Sequence, residues 1–205
     1  MSRRIHIFIN VLHRPDTDSP HRQGMTELEN VIQKLYIVIM NLLIADTSPL
    51  IFLAKLALLE TVVQNFKLIT TSVVFEEATR RKEFVDAGHI CRVVESGGIM
   101  VETAAVNEVR EMSGFWGLGK GEASVLVAVA TRQNGSALID DYAALTVCRT
   151  QGFSYTTTPV LIYEMGRRKL ISRKQAKNKL IALGEYAWMS EEVIGTVLSW
   201  LDKGV

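Results

Sequence analysis

The sequence predicts an α/β fold: a parallel sheet with helices packed on both faces. Two observations carry this. From Ile37 onward, short apolar runs of strand length alternate with longer stretches of helical periodicity. Strands that alternate with helices pair in parallel, because each crossover helix returns the chain to the same end of the sheet. The second observation is the stretch Leu42-Leu43-Ile44-Ala45-Asp46-Thr47-Ser48-Pro49-Leu50. An apolar run ends there on a carboxylate, and two hydroxyl residues and a proline precede a new apolar pattern. Ser48 suits the N-cap and Pro49 the first helical position, where a missing N–H costs nothing. Asp46 is thereby placed at the carboxyl end of a strand, the edge at which open α/β sheets hold their ligands.

Bulk properties set the class. The 205 residues are 48% hydrophobic and 22% charged, the make-up of a globular chain that fills one core and carries appendages. A formal net charge of +1 announces no nucleic-acid partner, so any basic surface is local. Cys91 and Cys148 are the only cysteines and lie in no CxxC or Cys/His cluster. That argues against a zinc site or a disulfide framework and for a reducing, cytoplasmic setting. The Ile5–Leu12 stretch lacks a small-residue cleavage site. The apolar run Leu35–Ala45 contains Asn41 and falls short of the about 20 residues that span a bilayer. A soluble protein is expected, with no membrane partner.

Residues 1–34 are set apart by loop chemistry at Arg14-Pro15-Asp16-Thr17-Asp18-Ser19-Pro20 and are read as an N-terminal extension. Residues 35–165 form the α/β domain and residues 166–205 a set of C-terminal helices. Strands are expected at Ile37–Ala45, Phe66–Thr70, Ile99–Thr103, Ser136–Ile139 and Phe153–Thr156. Apolar residues at 50, 53, 54, 57 and 58 place one helix from Pro49 to about Val62. Thr71 or Ser72 caps a helix from Val73 to about Lys82, and another runs from Glu83 to Ser96. Val106–Met112 makes one or two turns before a glycine-rich loop, Ser113–Gly121. The helix Glu122–Arg132 is apolar almost all round, the mark of burial. Tyr142–Gln151 is closed by Gly152, and Pro159 opens a helix to about Met165. Ser172-Arg173-Lys174-Gln175 reads as a capping box, Gly184 as that helix's end, and Ser190 as the cap of a last amphipathic helix through Leu201.

Four acidic sites fall at element ends that can share one rim: Asp46, Glu77, Glu122 and Asp140-Asp141. Crowded carboxylates repel unless cations lie among them. Mg²⁺ and Mn²⁺ take oxygen ligands, and two such ions can activate water and stabilise a leaving oxygen in phosphodiester hydrolysis. Each residue alone has an ordinary explanation. Asp46 serves as a helix-entry carboxylate, while Glu77 and Glu122 complement helix dipoles. A strand that ends on an acidic pair is less ordinary, and the order of the whole set raises the signal. Thr47 or Ser48 is placed to hold a water or a substrate phosphate, and Lys120 to touch the scissile phosphate. Arg80-Arg81-Lys82 could follow a phosphate backbone, as could Arg167-Arg168-Lys169 with Arg173, Lys174, Lys177 and Lys179. A solvated helix face is the simpler reading of each. Phe115-Trp116 could stack on a base, or fill a core or dimer contact. Phosphotransfer is disfavoured. Asp46-Thr47-Ser48 lacks the second aspartate of a haloacid-dehalogenase phosphatase, and the glycine loop lacks the GxxxxGK[ST] spacing.

Ile44-Ala45-Asp46-Thr47-Ser48-Pro49-Leu50-Ile51 resembles the opening motif of PIN domains. Val74-Phe75-Glu76-Glu77 is similar to their second motif, with Glu77 the match. Gly119-Lys120-Gly121-Glu122-Ala123-Ser124 is similar to the third, and Leu138-Ile139-Asp140-Asp141-Tyr142-Ala143-Ala144 to the fourth. The resemblance runs from about Ile37 to Val160 and is closest to the prokaryotic subfamily related to VapC-type toxins. It implies a PIN-like three-layer sandwich with a five-stranded, mostly parallel sheet. It implies a Mg²⁺- or Mn²⁺-dependent endoribonuclease that leaves 3′-hydroxyl and 5′-phosphate ends. Asp46, Glu122, Asp140 and Asp141 would hold metal, and Glu77 and Ser48 would complete the catalytic set. Thr47, Lys120, Arg80 and Arg81 would face the substrate. The implied partners are RNA, a second copy of the chain and a small antitoxin protein. The alternative is a non-catalytic binding or assembly module on the same fold, against which the near-complete acidic set argues. The choice between Asp140 and Asp141 stays open at this point.

Overall fold

The computed structural model describes residues 42–81, 83–132, 134–187 and 191–203. The N-terminal extension, the first five residues of the expected Ile37–Ala45 strand, Lys82 and the Ser190 cap lie outside the described residues. Five strands form one sheet: β1 (Leu42–Ala45), β2 (Lys67–Thr71), β3 (Ile99–Glu102), β4 (Ser136–Leu138) and β5 (Tyr155–Thr156). Their order is β3-β2-β1-β4-β5, and every neighbouring pair is parallel. The helices are α1 (Thr47–Lys55), α2 (Leu59–Asn65), α3 (Ser72–Thr79), α4 (Val85–Glu95) and α5 (Val106–Trp116), followed by α6 (Lys120–Ala130), α7 (Tyr142–Gln151), α8 (Thr158–Arg167), α9 (Arg173–Tyr186) and α10 (Glu191–Lys203).

β1 is the central strand, and Leu43, Ile44 and Ala45 are fully buried. A strand covered on both faces reads as a continuous apolar run, which is how this one is written. From β1 the chain steps outward to β2 and β3. It then returns across the sheet through α5 and α6 to β4, on the other side of β1. The strand order thus reverses between β1 and β4. The crevice outside the carboxyl ends of those two strands is where open α/β sheets bind ligands. α6 lies across β1, β2 and β4, and Ala123 to Val129 are all buried, as the all-round apolar pattern requires.

Several element boundaries differ from the sequence reading. The single helix expected over Pro49–Val62 is two, α1 and α2, bent by 113°. Ala57 takes a left-handed φ of 49°. Its N–H donates to Ala54 O (3.0 Å) and the Leu58 N–H to Leu53 O (2.9 Å), the paired bonds of a Schellman ending. Glycine usually marks such an ending, and alanine here gave no warning. Second, Ser113 to Trp116 belong to α5 and not to a loop. The stop is Gly117, at a left-handed φ of 68° that disfavours any side chain. Third, α1 begins at Thr47 with Asp46 in the N-cap position, so Ser48 is inside the first turn and caps nothing. Pro49 still costs little, because the first-turn N–H groups have no helical acceptor. Elsewhere α7 runs over Tyr142–Gln151 as expected, and the Ser172–Gln175 capping box is present in both directions. α9 continues through Gly184 to Tyr186.

The C-terminal helices pack on the rest through α8, in which Thr158 to Met165 are all buried. Tyr163 and Trp200 meet edge to face, with ring centroids 5.6 Å apart. Glu164 is buried and held by Arg167 (2.7 Å from its Nε) and Arg168 (2.7 Å). Burial opposes its ionisation, but these arginine hydrogen bonds and charges outweigh it and hold the carboxyl below its usual range. No single described helix is long and apolar enough to cross a membrane.

Candidate active site

Asp46 is delivered to the rim by β1. Its N–H donates to Leu138 O at 3.0 Å, which carries the β1–β4 ladder one residue past the strand. From the other side the Thr70 hydroxyl donates to Ala45 O at 2.9 Å. The backbone of Asp46 is extended, and its side chain makes no capping bond to α1. Asp46 is buried, with 4% of the residue exposed.

Three further carboxylates, carried by separate elements, act on its charge. Glu77 lies in α3, after β2, and accepts a hydrogen bond from the Thr47 hydroxyl at 3.0 Å. Gly121, in the first turn of α6, stands between Glu77 and Asp46. A Cβ there would lie 2.7 Å from Glu77 Oε2 and 3.3 Å from Asp46 Oδ1, so a side chain at this position would push the Glu77 carboxylate aside. Glu122 follows directly, its carboxylate folded back over Gly119. Asp140 comes from the end of β4. Its Oδ1 accepts from the Thr158 N–H (2.8 Å) and its Oδ2 from the Thr158 hydroxyl (2.6 Å).

Burial above all, with the charges of Glu122, Glu77 and Asp140, raises the Asp46 carboxyl to about 7 against an opposing hydrogen bond from the Thr47 backbone. Burial likewise lifts Asp140 to about 6, against the pull of the two Thr158 bonds. Asp141 is placed differently. It is exposed, and its Oδ1 caps α7 by accepting from the Ala144 N–H at 2.9 Å. Glu77, Glu122 and Asp140 thus lie within electrostatic reach of Asp46, Thr47 bonds to Glu77, and Asp141 and Ser48 are exposed.

A buried hydroxyl chain ties the helices that carry this set. The Thr71 and Ser124 hydroxyls lie 2.6 Å apart. Ser124 donates to Gly121 O at 2.7 Å, and Thr71 Oγ1 accepts from the Val74 N–H at 3.2 Å. The first turn of α6 is thereby locked to the first turn of α3. Sequence reading missed Thr71, Ser124 and Thr158 as supports of the site. Each is a hydroxyl residue near a helix start, and the local pattern reports only the capping chemistry.

Among the described residues no three His, Cys, Asp or Glu side chains stand ready-made around one point. Glu77 is turned to Thr47, and Asp140 to Thr158. The donor set still fits a hard divalent ion: it is all carboxylate, and its most buried member is costly to ionise without a compensating charge. Lys120, Arg80 and Arg81 are exposed, with Arg81 over the Phe84 ring at 5.7 Å. A cavity of about 510 Å³ lies apart from the carboxylate rim, lined by residues that include Met112, Phe115, Trp116, Val127 and Ala130. Its walls offer no group of the acidic set.

A family model described as a PIN domain matches residues 42–203. No curated protein and no solved structure matches the chain.

Proposed function

The chain belongs to the PIN domain family, whose members are generally nucleases, and from that premise we propose that it is a Mg²⁺- or Mn²⁺-dependent endoribonuclease. The observation that carries the reading is Asp46: a buried carboxylate, raised to about 7, in the shared field of Glu77, Glu122 and Asp140. Such crowding serves no packing purpose and is relieved by a cation.

Asp46, Glu122 and Asp140 would hold the ion, with Glu77 completing the negative wall. When bound, a divalent ion lowers the pKa of a water and offsets charge that develops on phosphate oxygens. Asp46 would have to lose its proton to hold the ion, so occupancy would rise with pH through the neutral range. Glu77, kept in place by Thr47, can orient a water for in-line attack on phosphorus. The bond to the 3′-oxygen then breaks, leaving 3′-hydroxyl and 5′-phosphate ends. Lys120 at the start of α6 and Arg80 and Arg81 after α3 are exposed cations suited to phosphates. The wider reading, a toxin held by a small antitoxin and paired with a second copy, draws support from exposed apolar surface on α5, where Phe115 is 58% exposed.

Incubation of single-stranded RNA with the protein and Mg²⁺ or Mn²⁺ tests the core of the proposal. Cleavage that is stopped by EDTA and falls by more than about 100-fold in Asp46→Asn and Asp140→Asn is expected, a loss of roughly 3 kcal/mol of transition-state stabilisation. Full activity in both variants would refute the site. Tight RNA binding without turnover under either ion would point to a binding module.

A further inference from the structure

We infer that Thr158 is a positioning residue that fixes the Asp140 carboxylate at the rim and makes it, and not Asp141, the metal ligand of the acidic pair. The inference rests on the metal-site reading above.

The two adjacent aspartates are chemically identical, so their neighbours must separate them. Asp141 spends Oδ1 on the Ala144 N–H and points its side chain along the start of α7, exposed to solvent. Asp140 has both oxygens held by one residue, Oδ1 by the Thr158 N–H at 2.8 Å and Oδ2 by its hydroxyl at 2.6 Å. Two bonds from one anchor fix the carboxylate's plane as well as its position. A carboxylate oxygen has two lone pairs, so each keeps one free to accept from or ligate a second partner.

The anchor is itself immobile. Thr158 is 0% exposed and is the first residue of α8, whose next seven residues are all buried. β5 brings it to the rim: the Ile139 N–H donates to Thr156 O at 3.1 Å, which lays the end of β5 beside the end of β4. The β-methyl of threonine narrows the hydroxyl's rotamer choice in a way serine cannot. Partners of this kind, which hold a ligating side chain without touching the ion, commonly set metal affinity by about 10- to 100-fold. The competing explanation is that Asp140 merely caps α8. A cap would matter to folding and leave metal binding alone.

Mn²⁺ binding by the full chain, followed by the electron paramagnetic resonance signal of free Mn²⁺, separates the two. Thermal melting without metal runs alongside as the control on folding. Thr158→Val should weaken Mn²⁺ binding by about tenfold or more, and Thr158→Ser should restore most of it. Asp140→Asn should bind far more weakly than the wild type, and Asp141→Asn like the wild type. Wild-type Mn²⁺ affinity in a folded Thr158→Val protein would overturn the inference, as would loss of binding in Asp141→Asn but not in Asp140→Asn. If Thr158→Val does not fold, Thr158→Ala against Thr158→Ser makes the same comparison. A wild-type protein that binds no Mn²⁺ would refute the metal-site reading itself, together with this inference. Binding that is intact in every Thr158 variant would refute the inference alone.

Discussion

Asp46 is subject to opposed demands. β1 sets it at the end of a fully buried strand, and the proposed metal site needs it ionised. Burial and three neighbouring carboxylates hold its carboxyl near 7, against about 3.9 for an aspartate in an unfolded chain. The linkage has a definite sign. Between those values the folded protein keeps a proton that the unfolded chain has released, so stability falls as pH rises from about 4 to about 7 and levels off above. Asp140, raised to about 6, acts in the same direction. At about 1.4 kcal/mol per unit the Asp46 effect is at most about 4 kcal/mol. Without metal, the protein should therefore melt at a higher temperature at pH 5 than at pH 8. Asp46→Asn should remove most of that difference, and Mg²⁺ should raise the melting temperature more at pH 8 than at pH 5. A melting temperature independent of pH in the wild type would show that Asp46 is not strained by its surroundings. At this scale the acidic set was readable because each member sits in a short local pattern. What the pattern could not say is which aspartate of the 140/141 pair is tied to Thr158, 18 residues away.

At the scale of elements, helix ends decide how the rim is built. The break between α1 and α2 turns the chain by 113° at a residue with no glycine signal. Ala57 sits at a left-handed φ of 49°, a conformation that costs a non-glycine residue roughly 1–2 kcal/mol. Ala57→Gly relieves that strain but loosens the unfolded chain by about 0.4–1 kcal/mol. A net gain of roughly 0.5–1 kcal/mol in urea denaturation is expected. A loss would mean that the Ala57 methyl packs more usefully than its backbone is strained. The same kind of local ambiguity hid the full length of α5. Glycines at 114, 117 and 119 read together as a loop, yet only Gly117 has a left-handed φ in the structure. By contrast the Ser172–Gln175 capping box and the Gly152 stop were legible, because their chemistry is complete within a few residues.

On the scale of the whole molecule, the C-terminal helices are joined to the α/β layers by close packing around Gly166. A Cβ there would lie 2.9 Å from the Ala176 Cβ and 3.4 Å from Leu201 Cδ2, so α8, α9 and α10 meet at that point. Gly166→Ala should destabilise the protein by roughly 1–3 kcal/mol, the usual cost of overpacking a filled core. The change would be read as a lower urea midpoint with an unchanged slope. An unchanged midpoint would show that α9 and α10 ride loosely on the domain. The family match spans the same helices without interruption, through residue 203.

By itself the sequence determined the alternation of strand and helix, the buried character of β1 and α6, and the order of the acidic residues. Each of these is a consequence of side-chain periodicity within a short window. Tertiary structure alone decided that β1 lies between β2 and β4, that Gly121 leaves room for the Glu77 carboxylate, and that Thr158 holds Asp140. Those facts depend on approach distances between segments remote in the chain, and a one-dimensional pattern of apolar and polar residues carries no record of which remote surfaces touch.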